Sequence, residues 1–261
     1  MSSGLSFLER LSRGETVLGT FVYFNSGDVV EALGEAGLDF IIIDMEHGPF
    51  SFYDVEGMVR AAEVVGITPI IRTPSSEETY ILRALECGAR GIQVPHVDDP
   101  ETARKVIEAS HYYPEGSRGF SPYTKAGRYG ARDPHTHIQT SNRDVAVIIQ
   151  IESADGVARL PEILDVGGVD VIFLGPYDLS QSLGIPGQVS KQEVVDLMES
   201  AVRRARLKGV AAGTFVETPQ SAIEWARKGI QYIAYSVDAA ILFRAAREIS
   251  TAVRRGLTLG E

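Results

Sequence analysis

Ten residues, Asp39–Gly48, read Asp-Phe-Ile-Ile-Ile-Asp-Met-Glu-His-Gly: an unbroken apolar run followed at once by Asp44, Glu46 and His47. An imidazole beside carboxylates suits general base catalysis, because an acid fixes the tautomer and raises the basicity of the ring. His47 with Asp44 or a neighbouring acid is therefore a candidate base. A lone histidine is more often a polar surface group or a satisfied core residue; the surrounding acids favour catalysis here.

The same arrangement recurs along the chain. Pro69-Ile70-Ile71 runs into Arg72, Val94 into Pro95-His96, Ala146–Ile149 into Gln150 and Glu152, and Val171–Leu174 into Gly175-Pro176-Tyr177-Asp178. An arginine ending an apolar run is desolvated along its stem. Arg72 could hold a carboxylate or stabilise an enolate through charge-assisted hydrogen bonds; the competing role is a structural pair with Glu46 or Asp44. Glu152 and Asp178 are carboxylates without clustered His or Cys. They suit a hard divalent cation, Mg²⁺ or Mn²⁺ first and Co²⁺ as a further option. The competing roles are a rim salt bridge, or a helix N-cap for Asp178. His96 is a weaker candidate, and His111, His135 and His137 lack the spacing of a metal motif.

Other chemistries lose ground by absence. The lysines are Lys105, Lys125, Lys191, Lys208 and Lys228, and none lies inside an apolar run where a Schiff-base amine would be buried. Cys87 stands before Gly88 with no histidine beside it. There is no Gly-x-Gly-x-x-Gly fingerprint and no phosphate-loop motif.

These charged residues need elements that bring them together. Eight short apolar runs are candidate strands: Thr16–Val22, Phe40–Asp44, Thr68–Arg72, Gly91–Val94, Ala146–Ile151, Val171–Leu174, Val210–Phe215 and Gln231–Ala234. Amphipathic stretches lie between them. Gly27–Ala36 carries Val30, Leu33 and Ala36, Tyr53–Val65 carries Val55, Val59, Ala62 and Val65, and Lys191–Leu207 carries Val194, Val195, Met198, Val202 and Leu207. Gly37, Gly66, Gly88, Gly209 and Gly229 each precede the next run, as helix-stopping residues do. Strands alternating with helices imply parallel pairing through right-handed crossovers. Eight such units predict one (β/α)₈ barrel spanning residues 1–261, whose strand ends converge on one mouth. His111–Arg143 is expected to be a long aromatic loop starting on the mouth side, and Asp238–Arg255 a terminal amphipathic helix that closes the barrel or packs on another subunit.

The bulk numbers exclude some partners. Net charge is −10, which disfavours nucleic acid and anionic membranes. No apolar run reaches membrane-spanning length and the N-terminus lacks the pattern of a signal peptide. One cysteine excludes an intrachain disulfide and suggests a reducing, cytoplasmic setting.

Taken in order, Ile43-Asp44-Met45-Glu46-His47-Gly48, Ile71-Arg72, Val94-Pro95, Tyr113-Pro114-Glu115-Gly116-Ser117-Arg118-Gly119, Gln150-Ile151-Glu152 and Gly175-Pro176-Tyr177-Asp178-Leu179-Ser180 resemble the HpcH/HpaI family of metal-dependent 2-oxo-acid aldolases. The resemblance runs almost the whole chain. It implies a class II aldolase on a barrel of the phosphoenolpyruvate/pyruvate superfamily, of the 4-hydroxy-2-oxoheptanedioate or 2-keto-3-deoxy sugar-acid type. By it, Glu152 and Asp178 would ligate the divalent metal. Gln150, with Gly175, Pro176 and the backbone around Tyr177 and Asp178, would bind pyruvate. His47 would be the base and Arg72 would stabilise developing negative charge. Glu86 stands where the family has an acid, usually Asp, that acts on the histidine across a subunit boundary. The family is typically hexameric and exchanges a C-terminal helix between subunits. Tyr177 stands where the family often has a small residue, and His96 is also unlike it. The expected partners are a 2-oxo acid, pyruvate and an aldehyde. An oxaloacetate decarboxylase, a malyl- or citramalyl-CoA lyase and a barrel without activity are the alternatives.

Overall fold

The computed structural model describes residues 5–258. Among them, eight parallel strands close into a barrel in sequence order: β1 Val17–Val22, β2 Phe40–Asp44, β3 Thr68–Arg72, β4 Gly91–Val94, β5 Ala146–Ile151, β6 Val171–Leu174, β7 Ala211–Val216 and β8 Tyr232–Val237. Strands of a barrel wrapped by helices are covered on both faces, so they read as continuous apolar runs. In β2, Phe40 and Ile42 join the cluster inside the barrel, whereas Ile41 and Ile43 join the layer beneath the helices.

Inside, Phe40 stacks on Tyr232 with ring centroids 4.2 Å apart. Phe7, on the N-terminal helix Phe7–Ser12, meets both rings edge-on and plugs the end of the barrel away from the mouth. Gly19 allows this packing: a Cβ there would lie 2.3 Å from the Phe40 carbonyl oxygen. The register sets Asp44 directly beside Arg72 across β2 and β3.

The helices end as their sequence signals indicate. Ser51 and Asp54 form a capping box at the start of Phe52–Val65, and Gly66 ends that helix at φ 74°. Leu207 and Ala36 depart from expectation: Leu207 is exposed at the end of Gln192–Leu207, whose buried face is Val194, Met198, Ala201, Val202 and Ala205, and Ala36 is an exposed C-cap after Gly27–Glu35.

The segment after β4 differs more. Helix Pro100–Ser110 intervenes, so the long loop begins at the opposite end of the barrel from the mouth. There it packs near Thr68, Arg90 and Val145, at the starts of β3, β4 and β5. Its last third is not loop at all: Asp133 caps a helix, Pro134–Asp144.

The terminal helix, Asp238–Thr258, runs beyond the expected Arg255. Its first residue is the bolt of the barrel seam, with Asp238 carboxylate oxygens accepting hydrogen bonds from the Tyr23 and Phe24 amides, each at 2.9 Å. Farther along, Leu242, Phe243, Ile249, Val253 and Leu257 are exposed. No helix among the described residues is long and apolar enough to cross a membrane.

Candidate active site

Asp44 is fully buried, and its partner is Arg72 rather than the His47 imidazole. Arg72 Nε donates to Asp44 Oδ1 at 2.8 Å and Nη2 to Oδ2, a fork-to-fork pair. Asp44 Oδ1 also accepts the backbone amides of Glu46, at 3.1 Å, and His47, at 3.3 Å. Asp44 therefore fixes the turn that carries His47 and orients Arg72; as a partner for the imidazole it is corrected. Burial opposes the charge of Asp44, but the Arg72 guanidinium outweighs it and holds the carboxyl below its ordinary range. Burial likewise opposes the charge of Arg72, which Asp44 and Glu46 overcome. Glu46 Oε2 lies 3.0 Å from Arg72 Nη1 as an ion pair, without the alignment of a hydrogen bond.

His47 is exposed at the mouth and lines the same cavity as Arg72. His96 bridges two acids: Nδ1 is 2.5 Å from Glu152 Oε2 and Nε2 is 3.4 Å from Glu46 Oε1. Its backbone sits at φ 55°, which turns its amide onto Glu152 Oε2 at 3.0 Å.

Glu152 is buried and has no lysine or arginine partner among the described residues. Burial, with the charges of Asp178 and Glu46, pushes its carboxyl up; His96 pulls the other way. A chain of amides holds it. The Tyr232 hydroxyl donates to Gln93 Oε1 at 3.1 Å, Gln93 Nε2 to Gln150 Oε1 at 2.5 Å, and Gln150 Nε2 to Glu152 Oε1 at 2.5 Å. These bonds rise through the barrel interior to the mouth. Asp178 lies in the first turn of helix Pro176–Ser182, whose N-cap is Gly175. It is not the N-cap, and among the described residues it has no ion pair.

The two carboxylates share one small space. A Cβ placed on Gly175 would lie 3.0 Å from Asp178 Oδ2 and 3.8 Å from Glu152 Oε1. Two acids, one unpaired and one short of counter-charge, fit a divalent cation there. No group of three or more His, Cys, Asp or Glu arranged for a metal occurs among the described residues. The donor set thus suits an ion that completes its shell with water and substrate oxygens.

These residues line a cavity of about 330 Å³, within the size range of sites for small ligands. It contains His47, Arg72, Gln150, Glu152, Gly175, Pro176, Tyr177 and Asp178, all expected from the sequence. Phe21, Phe173, Phe215 and Val237 supply an apolar wall. Sequence reasoning missed Tyr23 and Glu217. Tyr23 directly follows β1 and faces Asp44 and Arg72; burial and Asp44 push its hydroxyl well up. Tyr177 donates its hydroxyl to Glu217 Oε2 at 2.8 Å, joining the loops after β6 and β7. Applying the strand-end rule to β1 and β7 finds both. Glu86 does not join the cluster within one chain: it ends helix Glu78–Glu86, at the end of the barrel away from the mouth.

A model of the HpcH/HpaI aldolase/citrate lyase family matches residues 18–245. The 2-dehydro-3,6-dideoxy-6-sulfogluconate aldolase of Pseudomonas putida is 34% identical over 244 residues, 94% of this chain and 95% of its own. The 2-keto-3-deoxy-L-rhamnonate aldolase of Escherichia coli K12 is 34% identical over 233 residues, 89% of this chain and 86% of its own. The crystal structure of an HpcH/HpaI aldolase/citrate lyase family protein from Burkholderia cenocepacia J2315 superposes with a TM-score of 0.90 at 33% identity, covering 95% of this chain and 98% of that one.

Proposed function

The chain belongs to the HpcH/HpaI aldolase/citrate lyase family, and from that premise we propose that it is a divalent-metal-dependent aldolase. It cleaves a 4-hydroxy-2-oxo acid reversibly into pyruvate and an aldehyde. The observation that carries this reading is the cavity in which Glu152 and Asp178 flank Gly175 while Arg72 and His47 line the same space.

A cation held by Glu152 and Asp178, Mg²⁺ or Mn²⁺ by its oxygen donors, would supply Lewis acidity at the 2-oxo group. The chain's own residues do the rest. The exposed His47 imidazole takes the proton of the C4 hydroxyl as C3–C4 breaks, and the bonding pair moves onto the C2 carbonyl as an enolate. Arg72, locked by Asp44, stabilises the charge growing on that oxygen without having to reorganise. Gln150, itself held by Gln93, and the backbone at Gly175–Asp178 orient the pyruvate half. The proton held by His47 then goes to C3 of the enolate, which completes pyruvate and restores the base; in the synthetic direction it is taken from the methyl group of pyruvate and returned to the C4 oxygen. Arg72 is the one lysine or arginine among the described residues lining this cavity, and Asp44 and Glu46 engage it. That leaves no cation for the phosphates of a coenzyme A thioester and favours a free 2-oxo acid.

We extend the family resemblance to assembly. The exposed apolar residues of Asp238–Thr258 suit packing against another copy, and Glu86 could reach a histidine at a mouth only in a neighbouring subunit.

The test is hydrogen–deuterium exchange into the methyl group of pyruvate, followed by NMR. Exchange is expected with Mg²⁺ or Mn²⁺, and should vanish with EDTA and in Glu152→Ala. Absence of exchange with every divalent metal tried removes the reading.

A further inference from the structure

A cavity larger than the one at the mouth lies at the other end of the barrel, between the starts of β3, β4 and β5 and the loop that follows Ser110. It measures about 770 Å³. In a chain of net charge −10 its walls are cationic. Arg90, Arg118, Arg128 and Arg132 all line it, and among the described residues none of them pairs with a carboxylate. The two acids of the lining are already occupied: Glu63 by Lys125 at 2.7 Å, and Asp144 by Arg143 at 2.6 Å.

Arg118 is the decisive residue. It is 5% exposed, and its Nε has no hydrogen-bond partner among the described residues. The guanidinium lies 4.4 Å over the Tyr112 ring, and Glu86 acts on it only at a distance. A buried, unpaired guanidinium is costly unless something satisfies it. Burial lowers the proton affinity of Arg118, and burial together with Arg128 and Arg90 lowers that of Arg132. Backbone hydrogen bonds shape this wall. Arg128, Tyr129 and Gly130 are three successive residues at positive φ, fixed by the Gly130 amide on the Pro122 carbonyl at 2.8 Å and the Tyr129 amide on the Thr124 carbonyl at 3.0 Å.

We propose that this cavity is a binding site for a small polyanion of the phosphate or polycarboxylate class, with Arg118 at its buried side and Arg90 and Arg132 closing on the same ligand. Guanidinium forks match the oxygens of either anion bidentately, and such a ligand supplies the counter-charge the wall lacks. The site stands independently of the aldolase reading.

The experiment titrates inorganic phosphate, and in a second arm citrate, into the full-length protein by calorimetry at constant ionic strength set with chloride. Dissociation constants of about 1 mM or tighter are expected for at least one anion; the stronger arm identifies the ligand class. Arg90→Gln and Arg132→Gln should each weaken binding about 10-fold or more, the scale of a lost charge-assisted hydrogen bond. Pyruvate proton exchange should stay within about 2-fold in both, since neither residue lines the mouth. Arg118→Met should abolish binding; if it fails to fold, the two more exposed variants decide. No binding of either anion by the wild-type protein, or equal binding by wild type and both Gln variants, overturns the proposal. So does dissociation of an assembly in those variants without anion binding by the wild type, which would assign the arginines to a contact between copies.

Discussion

Replacing Arg72 by methionine keeps the length of the buried stem and removes the charge. Asp44 would then be a fully buried carboxylate whose remaining contacts include two backbone amides. Breaking a buried ion pair from one side costs about 3–5 kcal/mol, and the surviving amides put Arg72→Met near the lower end, about 3 kcal/mol. Domains of this kind hold roughly 5–15 kcal/mol, so the variant should still fold. The diagnostic is how that loss varies with pH. In the wild type the Asp44 carboxyl is held below its ordinary 3.8, so the stability it contributes is present above that value and is lost only as pH falls through the lower, folded-state value. Without Arg72, the opposing effect of burial is unbalanced and the folded-state value rises above the unfolded one. Stability then falls as pH rises through it. Urea unfolding of both proteins at about pH 5 and about pH 7.5, at matched protein concentration, should therefore show the larger deficit at the higher pH. A deficit that is equal at both, or below about 1 kcal/mol, refutes the assignment of Asp44 to Arg72. In turnover the same variant should lose about 10²-fold or more in kcat. A change confined to KM would instead make Arg72 a uniform binder of substrate.

Gly175→Ala places a methyl group 3.0 Å from Asp178 Oδ2, in the space between the two carboxylates. Calorimetry with Mn²⁺ should show affinity reduced about 10-fold or more; unchanged affinity would move the cation elsewhere. Tyr177→Phe removes the bridge to Glu217. The aldehyde KM should shift about 2–10-fold, the scale of a neutral hydrogen bond, while pyruvate exchange stays near wild type; equal loss of both would place Tyr177 on the pyruvate half. Burial and Glu56 push the Cys87 thiol up to about 11. At about pH 8 its reaction with a thiol reagent should be about 10²-fold slower in the native protein than in denaturant, because the thiolate is the nucleophile. Comparable rates would show that this helix end opens readily.

The barrel was legible because each strand is covered on both faces, so Phe40–Asp44 or Ala146–Ile151 stands out as a short apolar run between polar ends. Charged residues at those ends located most of the mouth for the same reason. What spacing left open was partner choice. Arg72 could pair with Asp44 or Glu46 and ends up engaging both; only the register that sets Asp44 beside Arg72 shows that Asp44 takes the fork. The loop after His111 was misplaced because helix Pro100–Ser110 went unread, although Asp99-Pro100 is an N-cap followed by a first-turn proline. Asp133-Pro134 carries the same signal at the next helix. The basic cavity could not be foreseen: Arg90, Arg118 and Arg132 come from three different segments and meet only when the chain folds over the starts of the strands.

The bolt formed by Asp238 bears on how this chain reaches its final state. It joins positions separated by 215 residues in sequence, and β1 and β8 must pair across nearly the same span. Such a seam is the slowest kind of contact to make, because loop closure precedes any gain from it. During synthesis the edge of β1 away from β2 has no partner until β8 is made, and an unpaired edge is a template for wrong association. Asp238, which fastens the end of the first strand, is also the first residue of the terminal helix. One residue thus pins the seam and sets where the terminal helix, with its exposed apolar residues, leaves the barrel.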